Sequence, residues 1–587
     1  MQARQEIAGQ GRCALPDKFL FRHLDVARTA DIMEENYRFC AEFDYAPENS
    51  DDAVDNYERI LETIGQISAD EIAPTAEETD IVGNVLNDDG SVTYAPGISN
   101  ALKRLSQADM MGFTLPYRFG GINCSNLVYT MSNEIVSRAD AALMNIYGLQ
   151  GIAETINAFA SEEIKQQYLH GMSAGWTGAM VLTEPDAGSD LQAVKTRAYQ
   201  DEDGNWFVHG VKRFITNGCG EVLLVLARTE PDISDGRGLS LLVVDSGPTV
   251  KIRRLEHKLG INGSPTCEIF FDNSPAQLIG DRQRGLITYV MSLMNGARVG
   301  IAAQSIGIGE AAYRAARDYG HARKQFGTAI DTFPAVRELL VNMQLDIQAA
   351  RTLTYYASFC VDIENGALRG LESEEAKNDK EIRKGHKQLA RKIGRYNKVL
   401  TPMSKYYASE MSMRVANDSI AVLGGSGYMK DYACERYLRD SRITTIYEGT
   451  SQLQVLAGIA GVTSGTAKTI IEDLLDNTWT KEVQPMIDQI RQGLELLDEC
   501  VAFVKEQPGA IHRDLYARKL VDMALYLIVG VLFCDQAMAN DTKHAVARRW
   551  LAWRMPELRM DAEMIKSGDT QIVDDFEILA GPVPVVE

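Results

Sequence analysis

Asn205-Trp206-Phe207-Val208-His209-Gly210, Val222-Leu223-Leu224-Val225-Leu226 and Leu239-Ser240-Leu241-Leu242-Val243-Val244 follow one another in the middle of the chain. Each run is short, apolar and rich in residues that favour strands. Clusters of Gly, Asp, Asn and Pro separate them, the pattern of strands joined by turns. Glu268-Ile269-Phe270-Phe271 adds another. On both sides the texture is helical. Upstream, Tyr57, Ile60, Leu61, Ile64 and Ile67 recur at a spacing that places them on one helical face. Ser161-Glu162-Glu163 reads as a helix start before Ile164 and Tyr168, while Leu115-Pro116-Tyr117-Arg118-Phe119-Gly120-Gly121 breaks the pattern as a loop. Helical texture returns near Leu286 and holds almost to the end. The fold class is therefore α+β, mainly α, with a small antiparallel β domain inserted between helical ones.

A chain of 587 residues exceeds one ordinary core. The reading divides it into an N-terminal extension (1–50), an N-terminal helical domain (51–175), the β domain (176–285), a C-terminal helical domain (286–462) and an appended helical domain (463–587). The last boundary rests on a Gly, Val, Thr, Ser, Gly composition shift near residues 461–465. Beyond it, Val483, Met486, Ile490, Leu494, Leu497 and Val501 form an amphipathic stripe, read as a packing or oligomer face. The charged stretch at 364–395 reads as a solvated helix or mobile linker.

Net charge is −21, which argues against nucleic-acid binding and against docking on anionic lipid. The nine cysteines are odd in number and include no Cys-x-x-Cys pair, the usage of a reducing compartment. The eight histidines show no metal-site pairing, so no metal is expected. The N-terminus has no apolar signal core. The longest apolar run, residues 523–534, is too short for a bilayer and reads as a buried helix. The expected location is cytoplasmic, with no integral membrane segment.

Gly307-x-Gly309-x-x-Ala312 fits a dinucleotide fingerprint by spacing, but no strand precedes it. Val299, Ala302, Ala303 and Ile306 continue a helix, so the glycines read as close helix packing.

Three segments carry more specific chemistry: Leu182-Thr183-Glu184-Pro185-Asp186-Ala187-Gly188-Ser189-Asp190; Ala322-Arg323-Lys324-Gln325-Phe326-Gly327; and Leu423-Gly424-Gly425-Ser426-Gly427-Tyr428, followed by Tyr447-Glu448-Gly449-Thr450-Ser451-Gln452. Their order and spacing resemble those of the acyl-CoA dehydrogenases, from about residue 50 to 460. Phe214-Ile215-Thr216-Asn217-Gly218 and Lys258-Leu259-Gly260 with Ser264-Pro265-Thr266 fit the same pattern. The flanking regions resemble those of longer bacterial members with extra helical segments.

The resemblance implies α,β-dehydrogenation of an acyl-CoA with FAD as cofactor and an electron-transfer flavoprotein as acceptor. Removing a proton from Cα needs a positioned carboxylate and donors at the thioester oxygen. The hydride from Cβ needs an organic acceptor that no side chain provides. Glu448 matches the family's base. Alone it would read as a helix-capping or loop carboxylate. The resemblance places Met180, Leu182, Thr183, Ser189, Phe214, Thr216, Thr450 and Gln452 at the cofactor. Across a subunit interface it adds Arg323, Gln325 and Phe326, and it assigns Gly424 and Gly425 to phosphate. Ser189, Ser264, Arg298 and Gly449 fall on the substrate side. A homodimer or higher homo-oligomer follows. Asn295, Pro334 and Ala421 depart from common members, where Asp, Gln and Gln are frequent, and Ala297 stands where some relatives carry an alternative catalytic Glu. The competing readings are an acyl-CoA oxidase that returns electrons to oxygen and a non-catalytic acyl-CoA-binding protein of the same fold. Nitroalkane oxidation is disfavoured, since it is expected to use a different carboxylate.

Overall fold

In the computed structural model, which describes residues 18–584, the first apolar stripe is a helix, Ser50–Ile67. Asn49 caps it by accepting from the Asp52 N–H, and Tyr57, Leu61, Ile64 and Ile67 are buried. Leu20, Phe21, Val26 and Ala30, from two preceding helices, enter the same core. The first 17 residues of the expected extension, Cys13 among them, lie outside the described residues. Ser161 caps helix Glu162–Ser173 at the expected place.

The β domain holds seven strands: β1 (Gly178–Val181), β2 (Arg197–Gln200), β3 (Trp206–Thr216), β4 (Val222–Arg228), β5 (Leu239–Asp245), β6 (Val250–Leu255) and β7 (Thr266–Ile279). Their order is β1-β4-β2-β3-β7-β5, with β6 on β7, and β4 also pairs with β5, so the sheet returns on itself. The sheet is mainly antiparallel, as expected, with two parallel contacts. β1 runs parallel to β4 with Gly178 opposite Val222, and β2 meets β4 in parallel at Arg197 and Arg228. β1 is not a hairpin partner of β4. It enters directly from the helical region, and the intervening crossover through β2 and β3 returns the chain in the same direction.

Helices α1 (Asn126–Ala139), α2 (Met291–Ala322), α3 (Pro334–Gly370), α4 (Lys380–Leu423) and α5 (Ser451–Thr463) frame the site. Gly307 lies inside α2, and a Cβ there would stand 2.6 Å from the Glu134 carbonyl oxygen of α1. The glycine spacing therefore serves close helix contact, with no preceding strand. The charged stretch is mostly the end of α3 and the exposed start of α4.

After residue 463 the long helices are α6 (Gln484–Glu506), α7 (Ala517–Ala539) and α8 (Asp541–Lys566), followed by two short ones, Gln571–Asp574 and Phe576–Ala580. Two helical stretches, Gly285–Ala322 and Ala517–Ala539, are long and apolar enough to cross a membrane, but 83% of the second one's apolar window is buried by protein. That is the position of a core helix. The eight described cysteines are free thiols.

Candidate active site

A cleft of about 1130 Å³ opens where the β domain meets the helices. This exceeds the roughly 300–1,000 Å³ of ordinary small-molecule pockets. Met180, Leu182 and Thr183 line it from the end of β1, and Phe214, Ile215 and Thr216 from the end of β3. β3 bulges between Lys212 and Ile215 against β7, and Phe214 takes a φ of +61°. Its ring is thereby left 52% exposed, with the Arg213 guanidinium 4.6 Å from its centroid. The Glu184 carboxylate anchors the loop after β1. It accepts from the N–H groups of Lys195 and Thr196 and pairs with the buried Lys212 ammonium at 3.0 Å.

Glu448 sits opposite, in the loop between helix Cys434–Thr444 and α5. Its φ is +54° and that of Gly449 is +88°. Two successive left-handed residues persist only when their surroundings hold them. Gln454 Nε2 donates to the carbonyl oxygens of Glu448 (3.2 Å) and Gly449 (3.1 Å). Lys405 Nζ donates to the Gly449 oxygen at 2.8 Å. Thr450 Oγ1 accepts from the Leu453 N–H and caps α5. The Tyr447 hydroxyl is anchored by Asn145 Oδ1 and Gln304 Oε1, while Gln304 Nε2 donates to Asn145 Oδ1 at 2.7 Å.

Burial pushes the Glu448 carboxyl up from 4.5 to about 7, while Lys405 and then Arg298 hold it down. Burial likewise pushes the Lys405 ammonium down to about 7, opposed by Glu448. A carboxyl that titrates near neutrality, facing a cleft, has the properties of a general base. The N–H groups of Glu448 and Gly449 make no backbone hydrogen bond among the described residues, which leaves them available to a developing oxyanion.

Of the residues singled out in the sequence, the fold brings Met180, Leu182, Thr183, Ser189, Phe214, Thr216, Arg298, Glu448, Gly449 and Thr450 to this one cleft. Ser264 does not reach it. Its side chain is fully buried, and its carbonyl accepts instead from Lys258 Nζ at 2.5 Å, Lys258 being the residue that faces the cleft. Arg323, Gln325, Phe326, Gly424, Gly425 and Gln452 are also absent from the cleft wall. They are exposed on the same chain. Phe326 tops a small hairpin with φ +51° and 96% exposure. The Tyr319 hydroxyl, 3.2 Å from Ser426 Oγ, ties the end of α2 to the Gly424–Tyr428 turn. Asn295, one of the departures, accepts from Arg298 at 3.1 Å.

Lys405, Gln454, Asn145 and Gln304 were not singled out in the sequence. A lysine inside Pro402-Met403-Ser404-Lys405-Tyr406-Tyr407 is the one available signal, since a charged residue amid an apolar helical run needs a partner. Gln454 and Gln452, two apart on α5, face different sides, so the residue that holds the base loop is distinct from the exposed Gln452 expected at the cofactor.

The cleft also fits a planar group with polar edges. The hydroxyls of Thr183, Ser189 and Thr216 find no hydrogen-bond partner among the described residues. Arg298 Nε is buried without one, and the exposed Phe214 ring offers an aromatic face. These are the donors, acceptors and stacking surface that a flavin ring system requires.

Models of four domains match the chain: acyl-CoA dehydrogenase N-terminal domain at 55–176, middle domain at 179–274, C-terminal domain at 284–378 and 384–462, and acyl-CoA dehydrogenase C terminal at 463–569. An acyl-CoA dehydrogenase of Bacillus subtilis is 34% identical over 365 residues, covering 60% of this chain and 87% of that protein. A solved structure of the electron transferring flavoprotein of Acidaminococcus fermentans contains a chain 29% identical, with a TM-score of 0.59 over 69% of this chain and 96% of that one. The crystal structure of an acyl-CoA dehydrogenase complexed with FAD from Bacillus anthracis, 21% identical, has a TM-score of 0.74 and covers 91% of this chain and 92% of that one. That likeness is one of fold, and at this coverage it extends into the helices after residue 463.

Proposed function

We propose that this chain, which belongs to the acyl-CoA dehydrogenase family, is an FAD-dependent enzyme that oxidises an acyl-CoA thioester to its 2-enoyl thioester, with Glu448 removing the α-proton. The observation that carries the reading is the Glu448 carboxyl, poised near pH 7 in a cleft whose wall fits a flavin. Bound flavin would supply the acceptor for the hydride that leaves Cβ and would pass both electrons to an electron-transfer flavoprotein.

The rest is work for the chain's own residues. Lys405 and Arg298 favour the ionised form of Glu448 against its burial before substrate arrives. Substrate that displaces water raises the carboxyl's affinity for a proton at the moment it must take one. Lys405 and Gln454 occupy the carbonyl oxygens of the loop, so the neighbouring N–H groups remain for the thioester oxygen, where enolate charge gathers. Met180, Leu182, Thr183, Ser189, Phe214, Thr216 and Thr450 would hold the flavin on the cleft side. Arg323, Gln325, Phe326, Gly424, Gly425 and Gln452 would hold the far end of a partner's flavin. The nearly bare Phe326 supports that assignment and, with it, a homodimer or higher homo-oligomer. The free thiols suit the reducing cytoplasm.

The test is to purify the protein and add acyl-CoAs of varied chain anaerobically. One thioester should bleach the flavin absorbance and emerge as the 2-enoyl-CoA. A colourless protein that no flavin reconstitutes would overturn the reading.

A further inference from the structure

A second cavity, of about 550 Å³, adjoins the cleft. Leu149 and Met180 line both spaces. α2 runs between them, presenting Met294 and Arg298 to the cleft and Gly296 and Ala297 to the second chamber. Chemistry at Cα and Cβ makes no use of this chamber, yet its wall is polar. Asn133 is only 1% exposed, and its Oδ1 has no hydrogen-bond partner. A Cβ at Gly148, also on the wall, would come within 3.6 Å of that oxygen and 2.7 Å of Met144 Cε, so Gly148 and the Met144 side chain border it. Glu154 lines the same chamber, as does Arg369, and no ion pair within 4.0 Å joins the Glu154 carboxylate to another described residue. Burial pushes that carboxyl upward, the Thr114 hydroxyl opposes the rise, and Asp362 adds to it. Native interiors rarely leave an oxygen such as Asn133 Oδ1 unmatched, and each exception calls for a reason.

We propose that this chamber receives the far end of the acyl group and selects one that ends in a hydrogen-bond donor, a hydroxyl or an ammonium, over one that ends in methyl. The proposal rests on the cleft being the acyl-CoA site argued above. Asn133 Oδ1 and the Glu154 carboxylate are both acceptors, so a donor satisfies them. A methyl end would seal them off unpaired, while Arg369, also on the chamber wall, is left to offset a terminal negative charge. Ala297, with no polar atom to offer, leaves Asn133 and Glu154 to set the preference.

The test is calorimetric titration of FAD-loaded protein carrying Glu448→Gln, which removes the base. The ligands are acyl-CoAs of equal length ending in methyl, hydroxyl, ammonium or carboxylate, at several lengths. At the length that reaches the chamber, a donor-ended thioester should bind at least about tenfold tighter than the methyl-ended one. Adding Asn133→Leu should bring the hydroxyl-to-methyl ratio close to one, and adding Glu154→Gln should reduce the ammonium-to-methyl ratio. Should Asn133→Leu fail to fold, Glu154→Gln carries the test alone. Methyl-ended thioesters binding as tightly at every length, or preferences unchanged in the variants, would overturn the proposal. Failure of the dehydrogenase reading has a different signature, namely that no thioester of any ending bleaches the wild-type flavin.

Discussion

Glu448 takes its chemistry from residues far away in sequence. Lys405, 43 positions earlier, and Arg298, on another helix, supply the charge that opposes its desolvation. A base must be ionised to act, so kcat/KM should rise with pH through about 7 and fall away below it. The sign for stability is opposite. The folded protein holds this proton more tightly than the unfolded chain does, so that contribution is present below pH 4.5 and lost as pH rises through about 7. Lys405→Met removes the largest influence holding the carboxyl down. The midpoint of the kcat/KM profile should move to higher pH, with lower activity at pH 7; an unmoved midpoint would deny Lys405 this role. Glu448 itself was legible in the sequence because Tyr447-Glu448-Gly449-Thr450 is a local signature. Lys405 was not, because its importance comes only from the space it shares with Gly449.

At the scale of elements, the base loop is held in a conformation that most residues avoid. Gly449→Ala places a Cβ 2.5 Å from Gln454 Nε2 at a φ of +88°. The substitution should cost about 1–3 kcal/mol and lower kcat more than it weakens substrate binding, which steady-state kinetics would resolve. On the other wall, Glu184→Gln leaves the buried Lys212 ammonium without its counter-charge, holding only the Leu182 carbonyl oxygen at 2.8 Å. The expected loss is about 3–5 kcal/mol, read as a lower Tm by calorimetry; an unchanged Tm would mean that the pair does not hold the cleft wall. Strands were recognisable from their composition. Their pairing was not, since the parallel contact of β1 with β4 joins segments more than 40 residues apart, and nothing local marks direction.

At the scale of the whole molecule, the helices after residue 463 share one core with the bundle before it. Val399, Met403 and Val455 belong to the same buried cluster as Val521, Phe533 and Trp550. Asp346 of α3 binds Arg554 of α8 at 2.6 Å and Arg414 of α4 at 3.1 Å, with the Tyr407 hydroxyl also on the carboxylate at 2.6 Å. A chain truncated after Thr463 would expose that apolar surface. It should aggregate in gel filtration rather than elute as a folded oligomer; a soluble, flavin-binding truncation would contradict the shared core. The composition shift at 461–465 shows in the sequence as a boundary, and the structure does break the helix there, at Gly465 with φ +87°. The depth of contact across that break depends on side chains meeting from distant helices, which periodicity alone does not reveal.

The most direct test of Glu448 as the base is to mix wild type and Glu448→Gln anaerobically with a thioester that the wild type oxidises, and to follow the flavin absorbance in a stopped-flow instrument. The wild type should bleach within its turnover time. The variant, with flavin still bound, should bleach more slowly by a factor on the order of 10² to 10⁴. A variant that bleaches at the wild-type rate would place the base elsewhere.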